Sequence, residues 1–263
     1  MNYLEAIILG VIQGFTEFLP ISSSGHLEIG KAIFRNQANP EESLFLTLTL
    51  HVATALSTIV FFRKDILQLI QGVLKFKWNE STQFSFKIII SMIPAVFVGL
   101  FLQEHIEVLF SKNLVLVGAM LCITAIILFW ADKALKTVKI VSTLNAFVLG
   151  LVQAIAILPG ISRSGSTIAI AVLLGIDREK ATRFSFLMVL PLIFGSMVKT
   201  LLDAKNITNS IDFFPLLAGF ITAFITGILA CKWMIALVKK SHLKYFSFYC
   251  ILVGGLALIY GLF

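Results

Sequence analysis

The chain has 263 residues, of which 58% are hydrophobic and 13% are charged, about half the charged fraction of an average globular domain. A soluble fold of this length has no core large enough to hide so much apolar surface, so the composition excludes a soluble globular protein. The net charge of +7 comes from Lys and Arg in short loops between apolar segments, without the basic stripe of a nucleic-acid groove. This pattern indicates a membrane protein whose basic loops meet anionic lipid headgroups, with no nucleic acid as partner.

The first apolar stretch, residues 3–34, is interrupted by polar residues near its middle. Gln13 and Glu17 are four residues apart and therefore share one face of a helix. Pro20 cannot extend that helix, so the stretch is predicted to break there. An ionisable group inside an apolar segment is functional by default, although a position at the lipid headgroups is the alternative for Glu17.

Three serines, a glycine and a histidine follow this break. Ser22, Ser23 and Ser24 are suitable N-terminal caps for a second helix, and Gly25 and His26 stand directly after them. A helix N-terminus surrounded by hydroxyl groups favours an anion. Capping alone is the alternative for any one serine, and a hydrogen-bonded structural histidine is the alternative for His26. The cluster as a whole predicts a functional site.

Six uninterrupted segments are predicted to span the membrane. Each is close to the roughly 17–25 apolar residues that a helix needs to cross a bilayer. They are residues 44–62, 86–102, 114–131, 184–202, 214–237 and 246–262.

The second interrupted stretch, residues 143–175, repeats the first at a constant offset of 140 residues. Each copy is followed by a charged link and three predicted spans, which indicates two structural repeats within one membrane domain, residues 1–263. The repeats cover about residues 1–135 and 136–263. The matched pairs are Gly10 with Gly150, Gln13 with Gln153, Ile21 with Ile161, Ser22 with Ser162, Ser24 with Ser164, and Gly25 with Gly165.

The tip of the second stretch contains Ser162, Arg163, Ser164, Gly165 and Thr167. An arginine inside an apolar segment is costly unless it meets an anion, and its planar guanidinium suits two phosphate oxygens at once. The hydroxyl groups supply further donors. The alternative is a structural ion pair between Arg163 and Glu17, and both interpretations can hold in a protein without substrate.

Loop charges predict the topology. If residues 143–175 enter the membrane and return as a re-entrant hairpin, the four main basic clusters lie on one face, which is the cytoplasmic face. The first hairpin then enters from outside, both termini lie outside, and the two tips meet near the middle of the bilayer. The clusters are Arg63 to Lys77, Lys133 to Lys139, Arg178 to Arg183 and Lys232 to Lys244, whereas Lys112 and Lys205 stand alone in their loops.

A few polar residues lie elsewhere in the apolar segments. Thr47, Thr49, His51 and Gln153 are interpreted as side chains that hydrogen bond neighbouring helices.

The two tips together resemble the signatures of the bacterial undecaprenyl pyrophosphate phosphatase family, the integral-membrane, bacitracin-resistance type. The motifs are Gln-x-x-x-Glu followed by Ser-Ser-Ser-Gly-His, and Pro-Gly-Ile-Ser-Arg-Ser-Gly-Ser-Thr. The resemblance covers essentially the whole chain. It implies hydrolysis of undecaprenyl pyrophosphate to the monophosphate carrier lipid and inorganic phosphate at the outer face of the cell membrane, for peptidoglycan synthesis. It also implies a divalent metal, Mg²⁺ or Ca²⁺.

The resemblance assigns roles to individual residues. It makes Glu17 the essential carboxylate, Ser23 the proposed nucleophile, His26 an acid or base, and Arg163 the pyrophosphate-binding arginine. Further pyrophosphate contacts are implied for Ser22, Ser24, Gly25, Ser162, Ser164, Gly165 and Thr167. Glu17 and Gln13 are the implied metal ligands. Many members have a second Glu where this chain has Gln13, and a neutral amide is a weaker ligand and no base.

Two alternatives remain open from the sequence. Either Ser23 or a water molecule attacks the terminal phosphorus. A polyprenyl-phosphate flippase or transporter is the alternative function, because inverted repeats with broken helices are also a transporter architecture. The sequence leaves the oligomeric state undetermined.

Overall fold

The computed structural model describes residues 2–34, 40–102, 106, 108, 113–203, 213–240 and 242–262. In these ranges the regular structure is helical, which confirms the all-α prediction. The helices are α1 (Tyr3–Phe18), α2 (Ser23–Ile33), α3 (Pro40–Phe61), α4 (Arg63–Val73), α5 (Glu80–Phe101), α6 (Leu114–Asp132), α7 (Thr143–Ile155), α8 (Arg163–Leu173), α9 (Arg178–Asp203), α10 (Phe213–Lys239) and α11 (Leu243–Leu262).

Five helical segments are long and apolar enough to cross a membrane, so the chain is a multi-pass membrane protein. They are Ser43–Phe61, Glu80–Phe101, Leu114–Asp132, Phe213–Lys239 and Leu243–Leu262. These five coincide with five of the six predicted spans. The sixth, 184–202, lies within α9 and stays a prediction, because several side chains near the end of α9 are outside the described residues.

Both interrupted stretches form a helix, a break and a second helix. The first break separates Phe18 from Ser23, and the second separates Ile155 from Arg163. Each break includes a residue with positive φ, Ser22 at 69° and Gly160 at 95°. A positive φ is incompatible with a continuing right-handed helix, so these residues reverse the chain within a few residues.

The two interrupted stretches pack on different partners. Helix α1 lies along α10, and α7 lies along α5. Both contacts require a glycine, because a Cβ on Gly10 would lie 2.6 Å from the carbonyl oxygen of Gly219, and a Cβ on Gly150 would collide with the backbone of Ser91. Each broken helix therefore packs closely on a long helix from the other half of the chain.

Helices α6 and α11 cross at a pair of glycines. A Cβ on Gly118 would lie 2.7 Å from the carbonyl oxygen of Gly254, and a Cβ on Gly254 would lie 2.8 Å from that of Gly118. The contact is thus reciprocal, and neither position has space for a side chain. Such small-residue crossings bring two membrane helices to backbone contact.

The basic loops gather at one end of the molecule. The guanidinium of Arg178 donates to the carbonyls of Ala131, Asp132 and Ala134 at the end of α6, which joins the link before α7 to the turn after α8. The other contacts are Asp177 N with Lys139 O at 3.0 Å, Lys180 Nζ with Val138 O at 3.1 Å, Arg183 with Asp65 at 2.7 Å, Lys239 with Glu179 at 2.7 Å, and Lys244 N with Asp132 at 3.2 Å. Helices α7 and α8 therefore start and finish at the same end of the molecule.

The α6–α11 crossing makes a prediction about stability. Gly254→Ala should lower the free energy of unfolding by about 1–3 kcal/mol, because the methyl group forces the two backbones apart. Gly255→Ala is the matched control on the same helix, since a Cβ there meets nothing within 4 Å. Thermal denaturation in detergent should show a lower Tm for the first variant alone. Equal Tm values for both variants would contradict the close crossing.

Candidate active site

The tips of the two broken helices are in direct contact. A Cβ on Gly25 would lie 3.3 Å from the Cα of Gly160, and a Cβ on Gly165 would lie 2.9 Å from the Cβ of Pro20. The hydroxyl of Ser164 donates to the carbonyl of Glu17 at 3.2 Å. The glycines therefore let the tips approach closely enough for side chains of one to bond the backbone of the other.

The carboxylate of Glu17 is the centre of the polar contacts between the tips. Its side chain is only 8% exposed. Oε1 accepts from the guanidinium of Arg163, while Oε2 accepts from Ser23 Oγ at 2.7 Å and from Gln13 Nε2 at 3.0 Å. The predicted ion pair between the tips is therefore present. These three donors stabilise a buried carboxylate that would otherwise be costly in apolar surroundings.

A cavity of about 180 Å³ opens beside this ion pair. Most of its lining residues are polar, and Ala156, Ile157 and Ile161 are the apolar ones. Six of the predicted site residues line it: Glu17, Ser23, Ser24, Ser162, Arg163 and Ser164. One cation and several hydroxyl groups thus face the same space, which is a donor set suited to a phosphate group.

Other predicted site residues hydrogen bond the backbone of the two tips. Ser22 is 2% exposed, and its hydroxyl accepts from the backbone N–H of Gly25 at 3.3 Å. Thr167 donates to the carbonyl of Arg163 at 2.8 Å, and Gly165 N donates to Ser162 Oγ at 3.0 Å. These residues stabilise the helix N-termini that carry Ser23 and Arg163.

The ring of His26 is held away from the lining described for the cavity. Its Nδ1 donates to the carbonyl of Ser22 at 2.8 Å, because a carbonyl oxygen can only accept. Its Nε2 pairs with the hydroxyl of Tyr249 on α11 at 2.8 Å. Both ring nitrogens therefore have protein partners, and the acid or base role of His26 stays a prediction.

Gln13 lies behind Glu17 with its amide nitrogen towards the carboxylate. The side chain is fully buried, and its Oε1 has no hydrogen-bond partner among the described residues. An amide nitrogen cannot bind a cation, so the predicted metal contact of Gln13 would need its orphan oxygen. In the arrangement present, the residue positions Glu17.

The sequence favours an interhelical hydrogen-bonding role for His51, but the structure shows that its side chain lines the cavity. Its Nε2 lies 3.9 Å from Glu17 Oε2. Thr16 is a second lining residue that sequence reasoning missed. The signal in the sequence was a polar stripe on α3, where His51, Thr54 and Thr58 recur at helical spacing.

The Glu17–Arg163 pair makes a prediction about stability. Arg163→Ala leaves a buried carboxylate without its cation and should lower the free energy of unfolding by about 1–3 kcal/mol. Adding Glu17→Gln should recover most of that loss, since the stranded charge is gone. Thermal denaturation of the single and double variants measures the coupling. Lys239→Ala, in an exposed ion pair, is the control and should leave the stability almost unchanged, because solvent screens that pair. Additive losses at Glu17 and Arg163 would contradict a structural coupling.

Comparison with known proteins identifies the family. The family model described as bacitracin resistance protein BacA matches residues 6–256. An undecaprenyl-diphosphatase of Christiangramia forsetii is 60% identical over 260 residues, covering 99% of this chain and 98% of the relative. Relatives of the same name from Bacteroides thetaiotaomicron and Methanococcus vannielii are 47% and 41% identical, each over 98% of this chain and at least 98% of their own length. The motifs, the all-helical membrane fold and these matches agree, and the chain belongs to the bacitracin resistance protein BacA family.

Proposed function

We propose that this protein hydrolyses undecaprenyl pyrophosphate to undecaprenyl phosphate and inorganic phosphate, which returns the carrier lipid to peptidoglycan synthesis. The observation that carries the proposal is that Ser23 donates to Glu17, Glu17 accepts from Arg163, and all three residues line one cavity. A hydroxyl hydrogen bonded to a carboxylate is the arrangement of an activated nucleophile. The undecaprenyl-diphosphatase name of the close relatives supports the same reaction.

In the substrate complex the pyrophosphate occupies the cavity and the polyprenyl chain stays in the bilayer. Arg163 is 29% exposed and can turn from Glu17 to the phosphate oxygens through the same planar guanidinium. Ser24, Ser162 and Ser164 offer hydroxyl donors around it. Positioning and charge stabilisation of this kind are the main requirements of phosphoryl transfer.

The first chemical step forms a bond from Ser23 Oγ to the terminal phosphorus. Glu17 Oε2 takes the hydroxyl proton across the 2.7 Å hydrogen bond, and the bond to the bridging oxygen breaks, releasing the lipid monophosphate. A water molecule then attacks the phosphoserine. Inorganic phosphate leaves with both hydrogens of that water, and Glu17 returns its proton to Ser23 Oγ.

A divalent cation, Mg²⁺ or Ca²⁺, fits beside Glu17 if substrate completes the coordination. The carboxylate faces the cavity, and the buried Oε1 of Gln13 lacks a partner nearby. Among the described residues no three His, Cys, Asp or Glu side chains converge, so phosphate oxygens and water would supply the remaining ligands. When bound, the cation would neutralise charge on the pyrophosphate.

The repeat architecture belongs to the same proposal: one domain of two inverted repeats, about 1–135 and 136–263, each with a re-entrant hairpin and three spans. Support comes from packing between the two halves of the chain, because α1 lies along α10 and α7 lies along α5. The crossing of α6 with α11 at a pair of glycines is a further contact between the halves. The gathering of the basic loops at one end supports a cytoplasmic entry for the second hairpin. In the plasma membrane the active site would then open to the outer face.

Ser23→Ala tests the enzyme against the flippase alternative. If Ser23 attacks phosphorus, phosphate release from purified protein and undecaprenyl pyrophosphate should fall by about a thousandfold or more. Ser24→Ala removes a neighbouring cavity hydroxyl without touching Glu17 and should lose far less. A denatured wild-type reaction should contain phosphoserine. A measurable fraction of wild-type turnover in Ser23→Ala would indicate attack by water, and no phosphate release by the wild type would favour the flippase.

Cysteine labelling tests the topology. After replacement of Cys122, Cys231 and Cys250, a single cysteine at Lys136 should react with an impermeant thiol reagent only in permeabilised cells, because the link before α7 is cytoplasmic. A single cysteine at Ser111, which lies outside the described residues, should react in intact cells. Equal labelling of both positions in intact cells would contradict the re-entrant arrangement.

A further inference from the structure

His51 stands where a third element of the fold meets the site. It lies on α3, whereas the other polar residues of the cavity come from the two broken helices and their tips. Its side chain is 28% exposed, and its Nε2 lies 3.9 Å from Glu17 Oε2. The imidazole therefore faces the same space as the carboxylate and is open to a ligand in the cavity.

The other ring nitrogen determines which tautomer is present. His51 Nδ1 lies 2.8 Å from the carbonyl oxygen of Thr47, which can only accept, so Nδ1 carries the hydrogen. In the neutral ring the lone pair then belongs to Nε2. A histidine that donates one ring N–H to a backbone carbonyl and presents the other nitrogen is the usual arrangement of a metal ligand.

The two oxygens of Glu17 have different partners. Oε1 is bound by Arg163, whereas Oε2 accepts from Ser23 Oγ and Gln13 Nε2 and is the oxygen nearest to His51. A cation between Oε2 and His51 Nε2 would replace the hydrogen bond from Gln13 and leave the Ser23 contact that the proposed reaction uses. His26, by contrast, has both nitrogens in protein hydrogen bonds, which leaves no free lone pair for a metal.

We propose that His51 Nε2 is a ligand, together with Glu17 Oε2, for the divalent cation of this protein. The proposal rests on the proposed phosphatase function, because pyrophosphate oxygens and water complete the coordination. An imidazole ligand favours Mn²⁺ and later divalent metals over Mg²⁺, so His51 makes the site more selective for Mn²⁺ than a carboxylate and water alone would.

Electron spin echo spectroscopy of bound Mn²⁺ tests this directly, because a coordinated imidazole nitrogen modulates the echo. The protein is purified without a polyhistidine tag and measured with Mn²⁺ alone and with Mn²⁺ plus methylenediphosphonate. The wild type should show the nitrogen modulation. His51→Gln should lose it and bind Mn²⁺ at least about tenfold more weakly. His26→Gln is the matched control and should keep the modulation.

Other outcomes of these measurements, a second variant and an activity assay test the proposal further. Wild-type protein without nitrogen modulation in either condition, or modulation that persists in His51→Gln, would overturn it. In His51→Asp, Mg²⁺ should displace Mn²⁺ more effectively than in the wild type, since an oxygen has replaced the nitrogen. Phosphate release from undecaprenyl pyrophosphate is measured on the same wild-type preparation: release without modulation defeats the His51 ligand alone, whereas modulation without release defeats the phosphatase function and leaves the cation site.

Discussion

The ion pair between Glu17 and Arg163 joins two hairpin tips that are 146 residues apart in sequence. Either charge alone would be costly in apolar surroundings, and each reduces the cost of the other. The ion pair does not use all of the polar groups of the two residues. Glu17 Oε2 accepts a hydrogen bond from Ser23, and Arg163 lines a cavity. The stability of the empty site thus depends on these two side chains, and the proposed function assigns the pyrophosphate to the same pair.

Close backbone contacts are the condition for this pairing. The tips meet through Gly25, Gly160 and Gly165, and the helices that carry them pack through glycines on long helices from the other half of the chain. A Cβ at Gly25 would lie 3.3 Å from the other tip and a Cβ at Gly165 would lie 2.9 Å from it, so a side chain at either position would push the tips apart. Small residues in membrane helices usually serve helix association. In this protein they also determine whether Ser164 reaches the backbone of Glu17.

The site solves a problem posed by its substrate, which has a highly charged headgroup and a long apolar tail. Non-helical backbone is tolerated at membrane depth only when it is buried in protein or lines a wet cavity. Both breaks satisfy this condition, because Ser22 and Ser162 cap the following helices and Thr124 of α6 donates to the carbonyl of Gly160 at 3.3 Å. Ser23, Ser24 and Ser164, in the first turns of these two helices, line the cavity.

The sequence by itself determined that the chain is a helical membrane protein, where its two helices break, and that Glu17 and Arg163 are charged groups in apolar sequence. These conclusions follow from local properties: apolar length, proline and serine at a turn, and an ionisable group in apolar sequence. The choice of Ser23 among the three serines came from the resemblance of the tips to the family signatures. Only the tertiary structure decided which of the two histidines near the tips faces the cavity. That depends on the rotation of α3 against α1 and on the partner Tyr249 from α11, so His51 presents a free nitrogen to Glu17 while His26 is occupied.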